Sequence, residues 1–166
     1  MIRKRNKFER PRKIYDKARI FEENNLLKKY GLKNKKEIWK ANGKIKYFRR
    51  RAKSLITASE EEKKNFFLKL NKFGLDVKSI AEVLALKLDD ILKRRLPTML
   101  VSKKLATTPR QARQMVVHRL VKIENRVVDV PSYLVGFDEE KFISVDIKPK
   151  KIKMEENEES DGEAEQ

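Results

Sequence analysis

Between Met1 and Lys53 this chain sets 21 Lys and Arg against 5 Asp and Glu, a net charge of +16, while all 166 residues together carry +17. A segment so charged repels itself. It folds compactly only if it has an apolar stripe to bury and a polyanion to neutralise its outer face. The rest of the charge is partitioned along the chain: net zero from Ser54 to Leu86, +7 from Lys87 to Gly136, +1 from Phe137 to Lys153 and −7 from Met154 to Gln166. That order reads as a basic head, a neutral helical spacer, a second basic module and an acidic tail.

Several classes fall away on composition. With 39% hydrophobic and 40% charged residues and a mean hydropathy of −0.74, the core must be thin, and the length suits one or two small domains rather than a large enzyme. There is no cysteine, which excludes disulfide staples and thiolate zinc sites. His118 is the only histidine, so it cannot share a metal with another; no cofactor is expected. No apolar run approaches a spanning helix, and no membrane partner is expected. Met1 to Arg12 is polar and basic, unlike a secretory signal, so the cytoplasm is the expected location. No Gly-rich phosphate loop or nucleophile elbow is present among only 5 glycines, and the chain is read as a non-enzyme.

Local signals place helices and strands. The first dozen residues have almost nothing to bury and are expected to form a flexible arm that orders on its partner. Asn34 followed by Glu37 marks a helix start. Ile38, Ala41, Ile45, Phe48, Ala52 and Leu55 then recur at helical spacing as one apolar stripe. Lys44, Lys46, Arg49, Arg50, Arg51 and Lys53 fill the remaining surface and are the first candidates for contacting an anionic polymer. Gly43 weakens this run by about 1 kcal/mol relative to Ala. Ser59 to Glu62 predicts a capping box. Phe66, Phe67, Leu70 and Phe73 predict the buried face of its helix, and Gly74 its left-handed stop. A short helix follows at Ile80, Ala81 and Leu84.

From Leu88 a helix is expected to run to Leu96 and end at Pro97, which has no N–H to donate. Asp89 and Asp90 favour its positive end. Thr108-Pro109-Arg110-Gln111 supplies a hydroxyl cap, a proline in the first turn and a returning glutamine, with Ala112, Met115 and Val116 inward. Val121-Lys122-Ile123 and Val127-Val128 around Glu124-Asn125-Arg126 predict a hairpin. Pro131 to Val135 and Phe142 to Ile147 predict further extended segments. Met154 onward repels itself and is expected to be disordered. Trp39, Phe48, Phe66, Phe67 and Phe73 sit at helical spacings and are read as core, whereas Tyr15 and Tyr47 lie in basic surroundings suited to stacking on bases.

The second module resembles the RNA-binding domain named for small-subunit ribosomal protein four. The likeness rests on Leu88-Asp89-Asp90-Ile91-Leu92-Lys93-Arg94-Arg95-Leu96-Pro97-Thr98, Leu105-Ala106, Pro109 to Gln114, Val117-His118, and Val127 to Val135. Lys36 to Lys40 and Phe48 to Ala52 are similar to the N-terminal part of that ribosomal protein in its archaeal and eukaryotic form. The resemblance implies an α+β fold: a helical basic N-terminal domain followed by two helices packed on a short β-sheet, with a flexible basic arm and an acidic tail. The expected division is 1–33 for the arm and first helix, 34–86 for the helical domain, 87–150 for the RNA-binding domain and 151–166 for the tail. The implied role is a primary rRNA-binding protein of the small subunit that nucleates assembly at a multi-helix junction of the 5′ domain. Neighbouring ribosomal proteins near the channel by which mRNA enters would link it to decoding accuracy, and no homo-oligomer is implied.

Carried over residue by residue, the implied contacts are Lys93, Arg94, Arg95, Lys103, Lys104, Arg110, Gln111, Arg113, Gln114, His118, Arg119, Lys122 and Arg126. Bacterial members often place glycine after the histidine and in the hairpin; Arg119 and Asn125 stand there instead. Some bacterial relatives carry a zinc knuckle, which this chain cannot build. The rival readings are a stand-alone RNA chaperone or stress-response module acting on ribosomal particles, and an RNA-modifying enzyme, for which the residues outside the RNA-binding domain leave no room.

Overall fold

The computed structural model describes Phe8 and residues 10–146; the acidic tail and most of the basic arm lie outside them. Among the described residues seven helices precede a small sheet: α1 Lys17–Tyr30, α2 Lys35–Ser54, α3 Glu60–Lys72, α4 Ile80–Ala85, α5 Leu88–Lys93, α6 Leu96–Ser102 and α7 Pro109–Val117. The strands are β1 Val121–Ile123, β2 Arg126–Val127 and β3 Ile143–Val145, with a 3₁₀ turn at Glu139–Phe142 before the last. The fold is α+β. No helix of the described residues is long and apolar enough to cross a membrane.

Helix α2 is the spine of the N-terminal half. Ile38, Ala41, Ile45, Ala52 and Leu55 are all buried, and the helix runs unbroken through Gly43 because burial on both sides of it outweighs about 1 kcal/mol of lost propensity. The first half of the stripe packs with Tyr30, Ile91 and Leu92, and the second half, through Ala52, with Leu70, Leu75, Val77 and Val83. Phe48 touches both clusters and Leu134, from the segment between β2 and β3, joins the first. One apolar stripe therefore organises two thin layers.

The third cluster belongs to the C-terminal half: α6 and α7 contribute Leu96, Leu100, Ala112 and Val116, and the sheet contributes Val121, Ile123 and Ile143. The sheet is antiparallel in order β2-β1-β3, with Ile123 opposite Arg126 and Ile143. Its hairpin turns through Glu124 and Asn125, at φ 48° and 67°, the pair of left-handed residues that a two-residue turn of this hand requires. Arg126 thus stands in the strand rather than in the turn. Thr108 caps α7 as the sequence predicts, its Oγ1 accepting from the Gln111 N–H at 3.2 Å.

Two glycines hold their positions for steric reasons. Gly31 ends α1 at φ +59°, and a Cβ there would lie 2.9 Å from Pro109, so α1 packs against the start of α7 through bare backbone. Gly74 follows α3 at φ +70°, and its missing Cβ leaves the space occupied by the Arg94 guanidinium.

Five local expectations are corrected. Pro97 does not end a helix; it occupies the first turn of α6, where an N–H would have no intrahelical acceptor. The helix from Leu88 stops earlier, at Lys93, because the chain becomes extended at Arg95 and bridges Leu134, with the Leu96 N–H donating to Tyr133 O at 3.0 Å and the Val135 N–H to Arg94 O at 3.0 Å. That bridge is also all that Pro131 to Val135 contributes in place of a strand. Ser59 precedes α3 but makes no side-chain cap, leaving its first turn to solvent and to an ion pair between Glu60 and Lys63 at 2.9 Å. Phe73 is 43% exposed, since α3 has already ended beneath it.

Candidate nucleic-acid interface

Cations separate into two populations, those exposed on the surface and those drawn inward. On α2, Lys44, Lys46, Arg49, Arg50, Arg51 and Lys53 are all exposed, as are Lys36 and Lys40 earlier in the helix. The stripe beneath them fixes their orientation, because a helix that buries one face must present the others outward. Arg49 also donates to the Leu86 carbonyl at 2.7 Å, tying α2 to the end of α4.

In the second module α7 aims a matching row. Arg110, Gln114 and His118 stand four residues apart and are exposed, opposite the buried Ala112, Met115 and Val116. Gln111, also exposed, accepts from the Thr107 N–H at 3.1 Å. Lys93, Lys104 and Arg126 are exposed as well. Arg119 pairs loosely with Asp129 at 3.4 Å and Lys122 with Asp146 at 2.6 Å; such surface pairs contribute little to stability and exchange readily for a phosphate. Lys104 and Arg119 hold left-handed conformations at φ 59° and 60°, as Asn125 does at 67°. Arg119 and Asn125 are the two places where bacterial members often carry glycine, so the backbone geometry is kept at a steric cost and a cation is gained.

Arg94, Arg95 and Arg113 do a different job. Arg95 is only 6% exposed; it donates to Glu37 at 2.7 Å and to the Pro131 carbonyl at 3.1 Å. Arg113 donates to both Glu37 oxygens, at 2.8 and 3.1 Å. Burial by itself pushes the Glu37 carboxyl up, but the hydrogen bonds and charges of Arg113 and Arg95 outweigh it and hold the group below the usual carboxylate range. Glu37 sits in the first turn of α2, so one carboxylate clasps the helical head to the second module. Arg94 acts within the second module instead, donating to Glu140 at 2.9 Å and to the Val135 and Gly136 carbonyls at 3.0 and 3.2 Å. Lys103 donates to the Glu140 carbonyl.

Smaller contacts act at the junction of the two halves and inside each of them. Tyr30 donates to Asp89 at 2.6 Å; its own burial and that bond raise the phenol well above its ordinary value, and the same bond holds Asp89 down. Tyr133, donating to Glu139 at 2.7 Å, is pushed up to about 12, first by that bond and then by burial. Trp39 is half-buried and donates its indole N–H to the buried Glu23 at 2.9 Å. The roles of Glu37, Glu23 and Glu140 were not legible in the sequence, because an acidic residue among cations carries no mark of which one it will meet. Among the described residues no group of three or more potential ligands could hold a metal.

Residues 94–141, which span α6, α7, β1 and β2 with the cation row of α7 on the outside, match the S4 domain family, so the chain carries an S4 domain. The likeness to known proteins extends well beyond that module. The chain is 44% identical over 133 residues to the small ribosomal subunit protein uS4 of Methanococcus aeolicus, covering 76% of this chain and 75% of that protein. It is 43% identical over 148 residues to uS4 of Nanoarchaeum equitans, covering 84% and 82%, and 38% identical over 148 residues to uS4 of Methanosphaerula palustris, covering 82% of each. The chain belongs to the uS4 family of small ribosomal subunit proteins, which are structural rather than catalytic.

Proposed function

We propose that this protein is a structural constituent of the small ribosomal subunit, in the cytoplasm, that binds rRNA through two cationic faces held at a fixed angle. The observation that carries the reading is the outward face of α2, where Arg50, Arg51 and Lys53 are all exposed beside a helix whose other side is core. The head up to about residue 86 grips one side of a folded rRNA junction in the 5′ domain, and the module from residue 87 grips another. Lys44, Lys46, Arg49, Arg50, Arg51 and Lys53 contact phosphates from the head. Lys93, Lys104, Arg110, Gln111, Gln114, His118, Arg119, Lys122 and Arg126 contact the RNA from the second module, while Arg95 and Arg113 keep the two faces in register through Glu37 and Arg94 braces the second module from within. Phosphate contacts fix affinity and orientation, and specificity comes from RNA shape.

A protein that supplies two preset faces binds early and narrows the conformations of the junction, which is how it nucleates assembly; its contribution to decoding accuracy passes through its protein neighbours near the mRNA channel. Reversing Arg49, Arg50 and Arg51 to Glu is expected to abolish incorporation into small subunits on sucrose gradients. Incorporation at the level of the unaltered protein would defeat the reading. Equimolar presence in mature subunits is the second requirement, since a chaperone leaves its particle.

A further inference from the structure

Between α2 and the second module lies an open cleft of about 880 Å³. Ile91, Leu92 and Leu134 give it an apolar floor beside the ion-paired Glu37, Arg95 and Arg113, and the exposed cations Lys40 and Arg50 also line it. Tyr47 stands with them at the rim with 62% of its surface exposed, backed on one side by the tilted ring of Phe48 at 5.9 Å. A ring that bulky gains nothing from water, and nothing in the core requires it. An apolar floor is a poor place for a phosphate, whereas a cationic rim is a good one. The combination fits a ligand that is charged along its edge and flat and uncharged at its centre.

We propose that this cleft takes an unpaired stretch of RNA, with one base stacked on Tyr47 over the apolar floor and the flanking phosphates on Lys40 and Arg50. The inference rests on the rRNA-binding reading and deepens it: one nucleotide at this point is splayed out of the fold, and the clasp through Glu37 keeps the cleft open to receive it. A base-paired helix offers no free base face and is too wide to enter. An acidic peptide would satisfy the rim but leave ring and floor without a flat partner.

The full chain is titrated with a short oligoadenylate, with an abasic oligomer of the same length and charge, and with a polyglutamate peptide. Stacking on one aromatic ring corresponds to roughly 5- to 150-fold in affinity. The unaltered protein is therefore expected to prefer oligoadenylate to the abasic oligomer, Tyr47→Ala to narrow that preference by this factor, and Tyr47→Phe to keep it. The exposed ring predicts an unchanged unfolding midpoint for both variants. A preference that survives Tyr47→Ala overturns the proposal, as does polyglutamate binding that is lost with Tyr47→Ala, which would assign the cleft to an acidic peptide. If neither oligomer binds but a small-subunit rRNA fragment does, the cleft proposal falls and the functional reading stands. If no RNA of any kind binds, the functional reading falls with it.

Discussion

Arg49-Arg50-Arg51 on α2 and Lys93-Arg94-Arg95 at the end of α5 look alike as sequence, two basic triplets beside an apolar run, yet the two arginines of the second meet a different fate from those of the first. The first lies on a regular helix whose buried face is already complete, so all three arginines stay exposed, Arg49 reaching only the Leu86 carbonyl at the surface. The second lies where the chain turns extended and crosses toward the core, and there Glu140 and Glu37 stand within 2.9 and 2.7 Å. A guanidinium leaves water only where a fork of acceptors replaces it. Basic composition therefore measures two things at once: surface offered to a polyanion, and cations consumed in joining the parts that offer it.

The contrast can be attacked from its strongest point. Glu37→Ala leaves Arg95 buried without its carboxylate and frees Arg113, and is expected to cost about 3–5 kcal/mol in urea unfolding, whereas Arg50→Ala and Arg51→Ala stay within about 0.5 kcal/mol of the unaltered protein. A mild Glu37→Ala would mean the clasp is ornamental. The acid limb gives the same answer by another route. The folded chain holds Glu37 below its ordinary value of 4.5, so folding favours the ionised form. Its stabilisation is complete above pH 4.5 and is lost as pH falls below it, through the depressed folded value. Glu37→Gln should shallow that acid limb, measured as the unfolding midpoint against pH.

Next in size is Gly74→Ala. The left-handed φ alone costs about 1–2 kcal/mol, and the new Cβ would fall on the Arg94 guanidinium and press it away from Glu140. The smallest effect is the most pointed. Arg119→Gly relaxes a left-handed arginine and is expected to raise stability by about 0.5 kcal/mol after the added freedom of the unfolded chain is set against it. The same change should weaken RNA binding. Stability and affinity moving in opposite directions at one residue would mark an exposed cation held in strain for its ligand; a fall in both would place Arg119 with the inward group.

Periodic features were legible in the sequence and long-range pairings were not. The stripe from Ile38 to Leu55, the caps at Thr108 and Gly74 and the hairpin around Asn125 are written locally, by spacing or by the conformation a residue tolerates. Pro97 was misread because a proline that ends one helix and a proline that opens the next look identical until the extended bridge between Arg95 and Leu134 is seen. The outward cations of α2 followed from the stripe on its other side. The inward turn of Arg94, Arg95 and Arg113 did not, since Glu37 lies 58 and 76 residues from its two partners and only the packed structure brings them together.

The division between binding and joining cations is tested most directly by the salt dependence of RNA affinity in the Arg50→Ala, Arg51→Ala double variant, measured with a small-subunit rRNA fragment over a potassium chloride series. Two lost phosphate contacts predict a log–log slope shallower by roughly 1.4 to 1.8, with the unfolding midpoint unchanged. A slope equal to that of the unaltered protein would contradict the account.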